Sequence, residues 1–144
     1  MKVLFSLFSL FYIASIFILA GSPVVESLSE FNPYSLLHIP LYGILTFLLA
    51  LSIIPILPKS KNSSIQRKNN STGPGSKEGR GLRLRLFIAG GIAFAVGILD
   101  EAHQLHVPGR DASVSDVVLD MVGVALALVL FFGLSKIRVL NLKK

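Results

Sequence analysis

Four uninterrupted apolar stretches constrain the fold of this chain more than any other feature of its sequence. They cover about residues 3–20, 36–57, 84–99 and 117–134. The hydrocarbon core of a bilayer is roughly 30 Å thick, and a helix needs about 20 residues to cross it. Only helices or closed barrels satisfy every backbone hydrogen bond in lipid, and these stretches lack the alternation of barrel strands. We therefore predict an all-α fold, a transmembrane bundle of four helices that forms one domain over residues 1–144.

The overall composition agrees with a protein that is dissolved in lipid. Hydrophobic residues make up 52% of the chain, and the mean hydropathy is +0.69, which is too apolar for an ordinary soluble domain. Cysteine is absent, which excludes disulfides, thiolate metal sites and acylated cysteines. The net charge of +6 resides mainly between and after the apolar stretches, where it indicates orientation. We expect the lipid bilayer as a partner and no nucleic acid.

The basic residues predict the orientation of the bundle. They concentrate in the connection before the third span and in the C-terminal tail: Lys59, Lys61, Arg67, Lys68, Lys77, Arg80, Arg83, Arg85, Lys136, Arg138, Lys143 and Lys144. Positive residues favour the cytoplasmic side, so we place both termini and a flexible loop over residues 58–83 in the cytoplasm. The two other connections then face outward. The first span has some features of a signal peptide, but its length favours an uncleaved anchor.

Most of the remaining polar residues gather at the predicted outer ends of the spans. The candidate site residues are His38, Tyr42, Asp100, Glu101, His103, Gln104, Arg110, Asp116 and Asp120. Ionisable groups are costly in a bilayer and usually face the bundle interior, where they pair with one another. Asp116 and Asp120 are four residues apart and share one helix face, so that two helices can direct carboxylates at each other. We expect this cluster to form a binding site.

The connection between the third and fourth spans adds details to this prediction. Pro108 and Gly109 favour a tight turn that would hold Arg110 near the carboxylates or near lipid phosphates, and its planar guanidinium suits both partners. Ser113 or Ser115 is a candidate cap for the fourth helix. Inside that helix, we expect Gly123 to mark a close helix contact.

Two alternatives remain open for the cluster. Its charged residues, above all Arg110, Asp116 and Asp120, suit a structural salt-bridge network equally well, and His38 and Tyr42 suit interhelical hydrogen bonding. Zinc ligands could come from His38, Glu101, His103 and His106, but the metal signal in their spacing is weak. We expect no metal site and no cofactor.

The order of these polar residues resembles the motif of VanZ-like membrane proteins. The matching positions are Asp100, Glu101, Gln104, Pro108, Gly109, Arg110, Ser113, Asp116, Val117, Asp120 and Gly123, preceded by His38 and Tyr42 in an earlier span. Many relatives have Asn where this chain has Asp120, and a second Gly where it has Ala127. The resemblance implies a bacterial multi-pass protein of the cytoplasmic membrane. The family is named after a member that lowers susceptibility to the glycopeptide antibiotic teicoplanin.

Two functional hypotheses follow from these observations. The first is a non-enzymatic envelope protein whose outer polar pocket binds a lipid headgroup, a lipid-linked wall precursor or a glycopeptide. The second is a membrane-embedded enzyme that acts on a lipid-linked or phosphate-bearing substrate, with Glu101 or Asp116 as general base, His38 or His103 as proton carrier and Arg110 on a phosphate. The first is favoured because catalysis requires convergent acid, base and substrate geometry, whereas the sequence shows only proximity and indicates no nucleophile. The pattern gives no oligomeric state.

Overall fold

Four long helices account for nearly all of the chain that the structure describes. The structure is a computed structural model, and it describes residues 2–20, 22, 34–54, 77–108 and 112–141. The helices are α1 (Lys2–Ala20), α2 (His38–Ile53), α3 (Lys77–Gln104) and α4 (Val114–Asn141), and a short 3-10 helix over Tyr34–Leu37 leads into α2. The described ranges contain no strand. The predicted all-α fold is therefore confirmed.

All four helices, α2 together with the 3-10 helix before it, are long and apolar enough to cross a membrane, as predicted. The prediction was wrong for residues 77–83, which were assigned to the flexible loop but form the first two turns of α3. Lys, Glu, Arg and Leu are good helix formers, but Gly79 and Gly81 oppose a helix, so the propensity of this segment is mixed. Leu82 also packs against the core, and Leu86 is buried within it, so that tertiary contacts stabilise this extension.

The distribution of side chains is inverted relative to a soluble protein. Large apolar residues point outward, including Phe87, Val114 and Leu130, which are 76%, 83% and 64% exposed. By contrast, several charged and polar side chains lie inside the bundle. Lipid is the medium that suits an apolar exterior of this kind, and it forces polar groups toward the interior.

The helices approach each other where their residues are small. Helix α2 makes its most extensive contacts with α4, and at their crossing Gly123 lies against the backbone of Ile39 and Gly43. On α3, Ala89 and Ala93 are completely buried. Small residues at helix interfaces in membranes let the backbones come close and gain dispersion energy. The expectation that Gly123 marks a helix contact agrees with this packing.

Replacement of Gly123 by alanine tests this crossing. A Cβ atom at Gly123 would collide with the backbone carbonyl oxygen of Ile39, which cannot move aside as a flexible side chain can. Overpacking of this kind costs about 1–3 kcal/mol. We expect Gly123→Ala to lower the melting temperature of the protein in detergent, measured by thermal unfolding.

Gly133→Ala is the matched control on the same helix. An added Cβ there meets nothing within 4 Å, and alanine favours a helix over glycine by roughly 0.5–1 kcal/mol. The melting temperature of Gly133→Ala should be equal to or above that of the wild type. Equal melting temperatures for the two variants would contradict the close crossing.

Candidate functional site

Most of the buried polar side chains gather at one end of the bundle, where α2 and α4 begin and α3 ends. They are His38, Tyr42, Asp100, Glu101, Gln104, Asp116 and Asp120, and we call them the polar cluster. None of them is more than 8% exposed. Three helices contribute to the cluster, which brings residues together that are up to 82 positions apart in the chain.

His38 and two aspartates of α4 form the centre of the polar cluster. The Nδ1 atom of His38 lies 2.8 Å from Oδ1 of Asp120, within hydrogen-bond distance. Its Nε2 atom lies 3.9 Å from Oδ2 of Asp116, which is too far for a hydrogen bond. With a proton on Nδ1, the ring donates to Asp120 and turns its other nitrogen toward the second carboxylate. Asp120 therefore determines the orientation of the imidazole.

A second set of contacts lies around Asp100. Its Oδ2 atom accepts hydrogen bonds from the Tyr42 hydroxyl at 3.3 Å and from Nε2 of Gln104 at 3.1 Å. The ring of Tyr42 also stacks on the ring of His38, with a centroid distance of 6.3 Å. Tyr42 thus links the two parts of the polar cluster.

Glu101 connects the end of α3 to the beginning of α4. Its Oε2 atom accepts a hydrogen bond of 2.8 Å from the backbone N–H of Ser113, the residue that caps α4 with its hydroxyl on the N–H of Ser115. In the usual capping box, a side chain three residues later in the same helix accepts this bond. Here, Glu101 of the neighbouring helix takes that role. The predicted Ser113 cap is present, and it holds Glu101 in place.

Several carboxylate oxygens of the polar cluster lack a hydrogen-bond partner among the described residues. They are Oδ1 of Asp100, Oε1 of Glu101, Oδ1 of Asp116 and Oδ2 of Asp120. A buried polar atom without a partner costs free energy, and buried groups in proteins nearly always have one. The polar cluster is therefore not a self-sufficient structural network within the described part of the chain.

Three members of the polar cluster have the spacing of metal ligands. One ligand atom from each of His38, Glu101 and Asp116 can be chosen so that all three lie within 4.8 Å of one another. Atoms bound tetrahedrally to one zinc ion at about 2.0–2.2 Å lie roughly 3.3–3.6 Å apart. Side-chain shifts on the order of 1 Å would bring the three atoms to that spacing.

Not every predicted site residue belongs to the polar cluster. His103 is exposed and packs its ring against Phe17 at a centroid distance of 5.7 Å. His106 is exposed as well, and its Nδ1 atom lies 3.0 Å from the carbonyl oxygen of Ala102. These two histidines were considered as zinc ligands, but they lie outside the group of three that has ligand spacing. Arg110 and Gly109 lie outside the described residues.

Gly97 is a site residue that the sequence analysis missed. A Cβ atom there would lie 2.8 Å from Oδ2 of Asp120 and 3.4 Å from Cε1 of Tyr42. The absence of a side chain therefore makes room for the aspartate. A signal was present, because Ala89, Ala93 and Gly97 recur every four residues and form a stripe of small residues on one face of α3.

Fold and site together define a multi-pass helical membrane protein with a buried cluster of carboxylates around one histidine. The model of the VanZ/LLP1 family matches residues 5–136, nearly the whole chain. The chain belongs to this family, as the motif resemblance predicted. No curated protein and no solved structure matches the chain significantly.

Two substitutions of Asp120 separate its hydrogen bond from its charge. In Asp120→Asn, the amide oxygen can still accept from Nδ1 of His38, whereas Asp120→Ala leaves a buried nitrogen without its partner. An unsatisfied buried group costs about 1–3 kcal/mol. We expect Asp120→Ala to lower the melting temperature clearly and Asp120→Asn to change it much less. Equal losses in thermal unfolding would indicate that the charge of Asp120 matters more than the contact.

Proposed function

We propose that this chain is an envelope protein of a bacterial cytoplasmic membrane whose polar cluster opens to the outer side and binds the polar head of a membrane-anchored molecule. The candidate ligands are a lipid headgroup, a lipid-linked wall precursor and a lipophilic glycopeptide such as teicoplanin. The basic residues of the tail and of the connection before α3 support an outward position of the polar cluster.

The observation that carries this proposal is the set of unpartnered carboxylate oxygens in the polar cluster. Such oxygens accept hydrogen bonds from hydroxyl, amide and ammonium groups. Sugar hydroxyls, peptide N–H groups and amines are common in the heads of wall precursors and glycopeptides. A ligand of this kind would supply the donors that the described residues lack.

An apolar groove supports a ligand that is anchored in the membrane over a soluble one. The groove lies between α2 and α4, has a volume of about 440 Å³ and is lined by residues such as Ile39, Pro40, Phe47, Gly123 and Leu130. It begins beside the first turn of α2, the turn that carries His38. Apolar clefts of this size accommodate ligand-sized groups. A lipid chain in this groove would place its head near the level of the polar cluster.

A membrane-embedded enzyme is the second candidate function, and one observation favours it. The hydrogen bond between Asp120 and Nδ1 of His38 orients an imidazole in the way that a carboxylate orients a general base. Nε2 of His38 would then accept a proton, and Arg110 would hold a phosphate. Lipid extracts from cells that express the wild type or His38→Gln would reveal a converted precursor by mass spectrometry.

Drug susceptibility is the first test of the binding proposal. A teicoplanin-sensitive bacterial host would express the wild type, Glu101→Gln or Arg110→Ala, with protein levels checked by immunoblot. In Glu101→Gln, the amide oxygen still accepts from the N–H of Ser113, so the fold is retained while the charge is removed. We expect the wild type to raise the inhibitory concentration of teicoplanin and both variants to lose this effect.

A binding measurement with teicoplanin and the purified protein checks the size of the effect on affinity. Loss of one hydrogen bond to a charged group costs about 1.5–3 kcal/mol, which weakens binding roughly 10- to 100-fold. His106→Gln is the control, because His106 is exposed and outside the polar cluster, and it should bind like the wild type. Unchanged susceptibility in every strain at equal expression would refute the glycopeptide part of the proposal.

A further inference from the structure

We propose that His38, Glu101 and Asp116 bind a divalent transition-metal ion, for which Zn²⁺ is the first candidate. One nitrogen and two carboxylate oxygens form a ligand set that Zn²⁺ accepts, with a further position left for water or a ligand. The inference rests on the proposed function only in treating the polar cluster as a binding site. The ion would bind whether or not a lipid-linked molecule does.

The hydrogen bond of His38 is the first argument for the ion. In metal sites, the ligating histidine almost always donates its other N–H to a carboxylate or a carbonyl. Asp120 is in place for that role at 2.8 Å from Nδ1. In the neutral ring with its proton on Nδ1, Nε2 carries a lone pair and faces Oδ2 of Asp116 at 3.9 Å. Two such acceptors repel each other, and a cation between them would turn this repulsion into attraction.

The two carboxylates supply the second argument. Oε1 of Glu101 and Oδ1 of Asp116 are buried and lack a hydrogen-bond partner within the described ranges. The other oxygen of Glu101 is held by the N–H of Ser113, so the side chain is positioned before any ion arrives. This combination of a fixed orientation and an unpartnered oxygen is what a metal ligand needs.

Charge balance is the third argument. Within the described residues, Asp116 has an ion pair with His38 alone, and Glu101 pairs with no Lys, Arg or His. Uncompensated carboxylates are expensive in a bilayer. A divalent cation would cancel the charges of Glu101 and Asp116 and lower the cost of their burial.

A bound ion would also extend the range of ligands. Carboxylates repel a phosphate, whereas a metal ion with an open position accepts one of its oxygens as a ligand. The ion would then bind the phosphate of a lipid-linked molecule. Asp100 would accept hydrogen bonds from the hydroxyl or amide groups of the same molecule. The same site would thereby select ligands that carry both groups.

Metal binding to the full-length protein in nanodiscs, after treatment with a chelator, tests this proposal. Zn²⁺ alone is added, and its affinity is measured by competition with a chromophoric chelator. We expect one Zn²⁺ per chain. Glu101→Gln and Asp116→Asn should lose this binding, and Asp120→Asn should weaken it about 10- to 100-fold, as changes to the partner of a ligating histidine do. His103→Gln, at an exposed histidine of the same end, should bind like the wild type.

Co²⁺ provides a measurement that needs no variant. Its visible absorption spectrum in the wild type should indicate coordination by nitrogen and oxygen, which keeps the test valid if a variant fails to fold. Absence of stoichiometric binding to the wild type, or binding that depends on His103 and not on Glu101, would overturn the proposal. If the protein binds Zn²⁺ but does not change the teicoplanin susceptibility of the host, the metal site is supported and the glycopeptide proposal is refuted.

Discussion

The cost of placing charge in a bilayer is the constraint on which the rest of this structure depends. The outer surface of the helices is apolar, so the polar residues have to lie between helices, and each of them needs a partner there. The hydrogen bond between His38 and Asp120 meets this requirement between α2 and α4, and Glu101 meets it between α3 and α4 through Ser113. The same pairs that make burial tolerable hold the three helices in register.

Much of this fold follows from hydropathy alone. The lengths of the four apolar stretches predict four helices, because no other backbone structure with such a pattern satisfies its hydrogen bonds in lipid. The helix ends are harder to predict. The first turns of α3 contain charged residues and two glycines, and contacts of Leu82 with the core stabilise their helical state, which a hydropathy pattern does not contain.

The members of the site were also largely predictable, but their pairing was not. Helical periodicity places Asp116 and Asp120 on one face, and the cost of charge in lipid directs that face inward. It does not determine that Asp120 contacts His38 while Glu101 accepts a bond from the chain before α4. Those contacts depend on how the helices cross. Small residues such as Gly97 influence the crossing because they make room for side chains of the neighbouring helix, such as Asp120. Exposure of His103 likewise depends on where α3 ends.

The backbone contact of Gly123 with Ile39 and Gly43 has a mechanical consequence. Two helices that touch through their backbones cannot come closer or slide past each other without a clash, but they can tilt about the point of contact. This point lies one turn from Asp120 on α4 and one residue from His38 on α2. A small tilt of α4 about this point would change the gap between the imidazole and a carboxylate while the helices remain packed.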